Sequence, residues 1–219
     1  GFFPPTIDKI SQFCELMFID TTYVDILGSW MPQENELDTY LNASKIHLRL
    51  LEPFWCKTPW TKALEGKKIL VVHPFSGTIK RQYEHREELF ENKDILPQFK
   101  SLQVIAAVQS IGESDKRFKD WFEALDFMKS EIDKHDYDVC LIGAGAYGFP
   151  LAAHVKRSGK KAVHLGGALQ LLFGIKGKRW EDPNYGVKEW GIPFGSYSNL
   201  VNEYWVRPGN HLKPKNADQ

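Results

Sequence analysis

Gly143, Gly145 and Gly148 stand in G-x-G-x-x-G spacing, directly after the apolar run Val139-Cys140-Leu141-Ile142 and before a helix-forming segment. That pattern suits anion binding. Glycines let the backbone approach a ligand closely, and free N–H groups at a helix N-terminus point at negative charge. A dinucleotide enzyme would add a carboxylate roughly 20 residues beyond the glycines to hold the ribose hydroxyls. That position reads His164-Leu165-Gly166-Gly167, with no acidic residue, so no NAD is expected. The expected ligand carries phosphate of another kind, although a turn that only packs a helix close to a sheet uses the same glycines.

Other residues with chemistry fall after predicted strands, where open α/β sheets bind ligands. His73, Ser76, Gly77 and Thr78 follow the run 68–72, and Gln109 and Ser110 follow 102–108. Tyr147 lies within the glycine turn, and His164, Gly166 and Gly167 close the run 161–165. Lys176, Lys178 and Arg179 then form a basic segment suited to a diphosphate leaving group, or else a solvated surface loop. His73 and His164 are the candidates for a general base, or are hydrogen-bonded histidines at strand ends. Tyr147 can stack on a base or cover the turn. Trp180 and Trp205, beside Arg179 and Arg207, can line a sugar or base pocket or belong to the core.

This inventory of hydroxyls, amides, imidazoles and glycine N–H groups favours a phosphorylated ligand over a metal. Glu34, Glu36 and Glu52 lie in early loops without metal-ligand spacing, and no metal site is assigned. Neither a G-x-S-x-G elbow nor a P-loop is present, which argues against serine hydrolysis and P-loop ATP chemistry.

The elements that must position these residues read as alternating strands and helices from residue 67 onward. The fold class is α/β, a Rossmann-like mostly parallel sheet of about six strands with helices on both faces. Two early strands are expected at 24–30 and 45–50, and four at 68–73, 102–108, 139–142 and 161–165, these last four parallel in one sheet. Thr6 caps a first helix carrying Ile7, Ile10, Phe13 and Met17. Ser76 caps a helix with Ile79, Tyr83 and Phe90, and Phe118, Trp121, Phe122, Leu125, Met128 and Ile132 mark another. Leu151, Ala152 and Val155 face the sheet from the helix that the glycine turn opens. A short helix at 168–173 and a last one at 196–204 complete the reading. In domain terms, residues 1–66 are an N-terminal helix and first strands with an aromatic and proline-rich loop, read as truncated. Residues 67–207 form the ligand-binding half, packed with the former as one domain, and 208–219 are a polar tail.

The charge balance, 28 basic against 28 acidic residues in 219, gives no field to attract nucleic acid or an anionic membrane. No apolar run has the length of a membrane span and no signal peptide is visible. Cys14, Cys56 and Cys140 are odd in number and dispersed, which points to reduced thiols and a cytoplasmic protein. The chain starts Gly1-Phe2-Phe3-Pro4 without an initiator Met and reads as a fragment of something longer.

Three runs carry a resemblance: LEGKKILVVHPFSGTIKRQYEHREELF at 64–90, DYDVCLIGAGAYGFPLAAHVKRSGKKAVHLGGALQLLFGIKGKRW at 136–180, and NEYWVRP at 202–208. They resemble a largely uncharacterised family associated with surface-polysaccharide gene sets. The glycine turn followed by a strand ending His-Leu-Gly-Gly is remotely similar to the second half of the GT-D-fold glycosyltransferases. The resemblance implies transfer of a sugar from a nucleotide-sugar donor to a glycan acceptor, with a divalent metal (Mn or Mg) held by an acidic N-terminal motif. No G-D-G-E or D-x-E segment matches that motif here. The resulting expectation is a glycosyltransferase, or its donor-binding part, in polysaccharide synthesis. The alternatives are an NAD-type oxidoreductase and a non-catalytic nucleotide-binding or scaffolding domain.

Overall fold

The computed structural model describes residues 1–110 and 116–209. Helix α1 (Ile7–Thr21) is capped by Thr6, whose hydroxyl accepts from the Lys9 N–H. Strands β1 (Ile26–Ser29) and β2 (Ser44–His47) follow. Then come β3 (Lys68–His73), α2 (Ser76–Glu84), α3 (Arg86–Leu89), β4 (Ser101–Ala106) and α4 (Trp121–Asp133). The glycine unit supplies β5 (Val139–Ile142), α5 (Gly148–Arg157) and β6 (Lys161–His164). The short helices α6 (Leu169–Leu172), α7 (Lys178–Glu181) and α8 (Val187–Trp190) end the regular structure among the described residues.

The four later strands form one parallel sheet in the order β4-β3-β5-β6, as their apolar runs predict. Ile69, Leu70, Val71 and Val72 are wholly buried. A central parallel strand is covered on both faces, so its sequence is continuously apolar instead of alternating. Ile69 and Val71 face a core shared with Ile79, Leu89, Leu141 and residues 169–175, while Leu70, Val72 and Ile142 face α4 and α5. Each fully buried side chain of this kind contributes about 1.5–3 kcal/mol. Leu141→Ala would therefore cost about 2–5 kcal/mol, with the cavity added.

The expected single sheet of about six strands is corrected: β1 and β2 pair in parallel only with each other. Their residues are partly or fully exposed, so they lack the two-sided burial that would draw them into the main sheet. Three smaller expectations are corrected too. Ser76 is the first residue inside α2, preceded by Phe75, and gives no side-chain cap. The last helix shrinks to a 3-10 turn at Ser198–Leu200. Ile7 and Ile10 of α1 face outward, at 87% and 44% exposure. Phe13 alone of the predicted stripe reaches the core rings, meeting Trp121 edge-on with ring centroids 5.1 Å apart. The tail beyond residue 209 lies outside the described residues, as does the segment 111–115.

α4 begins at Asp120, whose Oδ1 accepts from the Glu123 N–H at 2.9 Å and whose Oδ2 takes Lys9 Nζ of α1 at 2.8 Å. Trp121, Ala124, Leu125, Met128 and Ile132 make its buried stripe. α1 and α4 thereby close one face of the sheet, and α2 with the C-terminal segments closes the other.

Candidate functional site

The strand order makes a topological switch. From β3 the chain steps to β4 on one side, then crosses back over β3 to β5 and on to β6. Crossovers of one hand must change face when the direction of travel reverses. α2 accordingly leaves β3 on one face, while α5 leaves β5 on the other. The loops after β3 and β5 diverge, and the crevice between them is where open sheets bind ligands.

Two helices of nine and ten residues open at this crevice, and neither has a side-chain cap. The first-turn N–H groups of α2, at Ser76, Gly77 and Thr78, thus lack a capping partner from the preceding side chain. Arg81 leans back over this turn, with Nη2 3.4 Å from Thr78 Oγ1 and Nη1 3.6 Å from the place a Gly77 Cβ would occupy. A cation beside the positive end of a helix is unfavourable unless an anion joins them. Sequence reasoning missed Arg81; its i+4 spacing from Gly77 was the available signal.

The three glycines have separate reasons. A Cβ on Gly143 would sit 2.6 Å from His73 Cδ2 and 2.7 Å from the Gly166 carbonyl oxygen, so this glycine lets three strand ends converge. Gly145 has φ +53° with nothing within 4 Å of a built Cβ, and it is exposed. Only this glycine therefore meets the description of a backbone open to a ligand. Gly148 is filled from outside by the imidazole of His164, 2.1 Å from a Cβ there.

His73 is buried, with Nδ1 accepting from the Phe75 N–H at 3.0 Å. Burial pulls its pKa down to about 4, so the ring is neutral near pH 7. His164 sits at the end of β6 with Nδ1 3.2 Å from the Ile142 carbonyl, which makes Nδ1 the protonated nitrogen. Burial lowers its pKa as well, opposed by that hydrogen bond. Both rings are thus hydrogen-bonded pieces of the strand ends, with His73 lining the switch point and His164 one strand further out.

Other predicted site residues separate into two groups. Tyr147 is corrected as a base-stacking residue: it is 2% exposed, stacked on Trp121 at 5.0 Å and 8°, with its hydroxyl 3.0 Å from Ser110 Oγ. Ser110 is itself buried and donates to the Gly1 carbonyl, so it too serves packing. Thr78 is buried, and Gln109 is half-buried beside Ser110. Gly166 (φ +56°) and Gly167 form the turn after β6, and Trp180 packs 3.4 Å from a Gly167 Cβ position. That contact brings the basic segment to the turn. Lys178 and Arg179 are exposed on α7, with Arg179 over the Trp180 ring at 4.9 Å, while the Lys176 backbone is tied to Val206.

A concavity of about 920 Å³ lies elsewhere, along the outer edge of β6. It separates that edge from β1 and β2, with Leu27, Ile46, Leu51, Phe149 and Val163 among its apolar walls. His164 lines its end, so the cleft approaches the crevice from the side.

Among the described residues no three His, Cys, Asp or Glu side chains come together to hold a metal ion. The divalent metal implied by resemblance therefore finds no fitting donor set there. No helix among the described residues is long and apolar enough to cross a membrane. Comparison of the chain with protein-family models, with curated proteins and with solved structures gives no match.

Proposed function

We propose that the crevice between β3 and β5 binds the diphosphate of a nucleotide-sugar donor, and that the protein transfers the sugar to a glycan acceptor. The observation that carries this reading is the uncapped α2 N-terminus with the Arg81 guanidinium over its first turn, at the same edge of the sheet as the open Gly145 turn that follows the neighbouring strand β5. A phosphate between them would satisfy free N–H groups and neutralise Arg81 together. The loops 73–78 and 143–148 hold no carboxylate to repel it.

As the sugar leaves, negative charge develops on the diphosphate oxygen that bore it. Preorganised N–H groups and guanidinium donors stabilise that charge better in the transition state than in the bound donor. Lys178 and Arg179, exposed on α7 next to Trp180, which packs on the Gly166–Gly167 turn, would share this task. The acidic ribose anchor of an NAD enzyme is absent after β6, which sets the oxidoreductase reading behind this one.

Calorimetric titration with nucleoside diphosphates and with NAD tests the reading. Nucleoside diphosphates should bind more tightly than NAD, and Arg81→Ala should weaken them by about ten-fold or more with folding intact. NAD binding as tightly would restore the oxidoreductase. Unchanged affinity in Arg81→Ala would remove the crevice as the phosphate site.

A further inference from the structure

The cleft beside β6 is bordered by two open strand edges. β6 ends the main sheet, and β1 pairs only with β2. The Leu165 N–H donates to the Ile142 carbonyl at 3.0 Å, so Lys161, Val163 and Leu165 turn their backbone groups towards β5. Ala162 and His164, between them, turn theirs outward. On β1, the Ser44 N–H donates to the Asp25 carbonyl at 2.9 Å, which puts the N–H and C=O of Ile26 on the side away from β2. Among the described residues the outward groups of Ala162 and Ile26 and the His164 N–H have no hydrogen-bond partner. Ala162, His164 and Ile26 all line the same space of about 920 Å³.

This space has an apolar wall on each side of the β6 edge. Ala162 packs on the α5 side of the sheet and Val163 on the other. On the first side α5 presents Phe149 and Ala152, and the alanine leaves room. On the second stands Trp60, its Nε1 donating to the Leu51 carbonyl at 2.9 Å. The two acids that line the cleft are already neutralised, Asp20 by Arg157 and Asp25 by Lys156. At the start of β6 the cleft is basic. Lys161 is exposed and makes no ion pair among the described residues, and Lys160 lies over the Tyr137 ring at 3.8 Å without a carboxylate partner there.

We propose that this cleft receives an extended segment of a partner protein as an added strand along β6, apolar in its run and acidic at the end that meets Lys160 and Lys161. The open backbone groups choose this occupant. An alkyl chain would strip water from the outward N–H and C=O groups and offer nothing in return, which is unfavourable for each of them. A strand brings acceptors and donors at the two-residue spacing of Ala162 and His164. Its side chains alternate between the α5 wall and the Trp60 wall. Because both walls are apolar, a continuous apolar run fits, as it does in β3. Neither the glycine turn nor Arg81 takes part, so the site is independent of the nucleotide crevice.

A random heptapeptide library displayed on phage, panned on the full chain, supplies the probe. Enriched peptides should share a run of apolar and β-branched residues with Asp or Glu at one end. The strongest of them, synthesised, should slow amide hydrogen exchange at Ala162 and His164 as read by NMR, and should leave nucleoside-diphosphate affinity unchanged. Methylating its backbone nitrogens one at a time should weaken binding with a two-residue period, by about ten-fold where the nitrogen faces β6, the size of one hydrogen bond. Lys161→Glu should weaken it about five-fold, the size of one exposed ion pair. Ala152→Leu, which fills the α5 wall, should abolish it; the methylation series needs no protein variant and serves where Ala152→Leu fails to fold. No enriched sequence, no protection at Ala162 and His164, or an effect of methylation without period would overturn the added strand. Decanoate binding in the cleft, with no peptide enriched, would make it a site for amphiphiles and overturn the proposal equally.

Discussion

The imidazole of His164 occupies the space that a side chain on Gly148 would need, with Cε1 2.1 Å from the position of a Cβ there. Gly148 has ordinary helical angles (φ −62°), so no backbone strain requires glycine at this position. In an unencumbered helix alanine would be the better residue by about 1 kcal/mol. Here the sign reverses. Gly148→Ala should destabilise the protein by about 2–3 kcal/mol in urea unfolding, the usual cost of overfilling a packed site. The same substitution made in a His164→Ala background should cost little, and a double-mutant cycle reads the coupling directly. Additive losses would show that the two residues do not compete for this space.

Gly143 and Gly145, two residues apart, should respond oppositely to their surroundings. Gly145→Ala meets no atom within 4 Å and carries only the strain of φ +53°, about 1–2 kcal/mol. Gly143→Ala meets both an imidazole and a backbone carbonyl under 3 Å, and should cost about 3 kcal/mol. Thermal unfolding of the two variants would rank them, and a larger loss at Gly145 would contradict the geometry.

This contrast marks how far the sequence could be read. The strands at 68–73 and 139–142 were legible because two-sided burial leaves a continuous apolar run. The glycine motif was legible as a turn that opens a helix. The ring that would decide the role of Gly148 lies sixteen residues further along, at His164, and nothing local announces it. The choice between the two readings of Tyr147 was hidden for the same reason: Trp121 and Ser110, which claim its face and its hydroxyl, come from other loops and helices. β1 and β2 were legible as strands but not as a separate sheet, because pairing partners are chosen by tertiary packing.

His73 should make the fold sensitive to mild acid. Its folded-state pKa is lowered by burial to about 4, against an unfolded value near 6.5. Between those values the unfolded chain binds the proton and the folded one does not. Stability therefore falls as pH drops from about 6.5 towards 4, by about 3 kcal/mol in total. The lowered pKa of His164 acts in the same direction. Urea unfolding across this range should show a shallower slope in His73→Gln than in wild type. Parallel curves would mean that His73 titrates normally in the folded state.

Lys156 and Arg157 are consecutive residues of α5, and each makes an ion pair with an N-terminal aspartate at 2.5 Å. Their environments differ. Asp25, the partner of Lys156, has a side chain 77% exposed, whereas Asp20, the partner of Arg157, is fully enclosed with Oδ2 accepting no hydrogen bond. An exposed pair gains little because water solvates either charge alone nearly as well, so Lys156→Ala should cost under about 1 kcal/mol. Removing Arg157 leaves a carboxylate in the interior with neither its cation nor water, and it also frees the Tyr23 ring that the guanidinium covers at 4.9 Å. Arg157 is about one-third exposed, so some water can follow it in, and the expected loss for Arg157→Ala is about 3 kcal/mol. High salt should narrow the small deficit of the Lys156 variant and leave that of the Arg157 variant nearly intact, because buried pairs are poorly screened. Equal losses in urea unfolding for the two variants would mean that Asp20 reaches solvent in the folded protein, and that the clasp between α1 and α5 is held by packing alone.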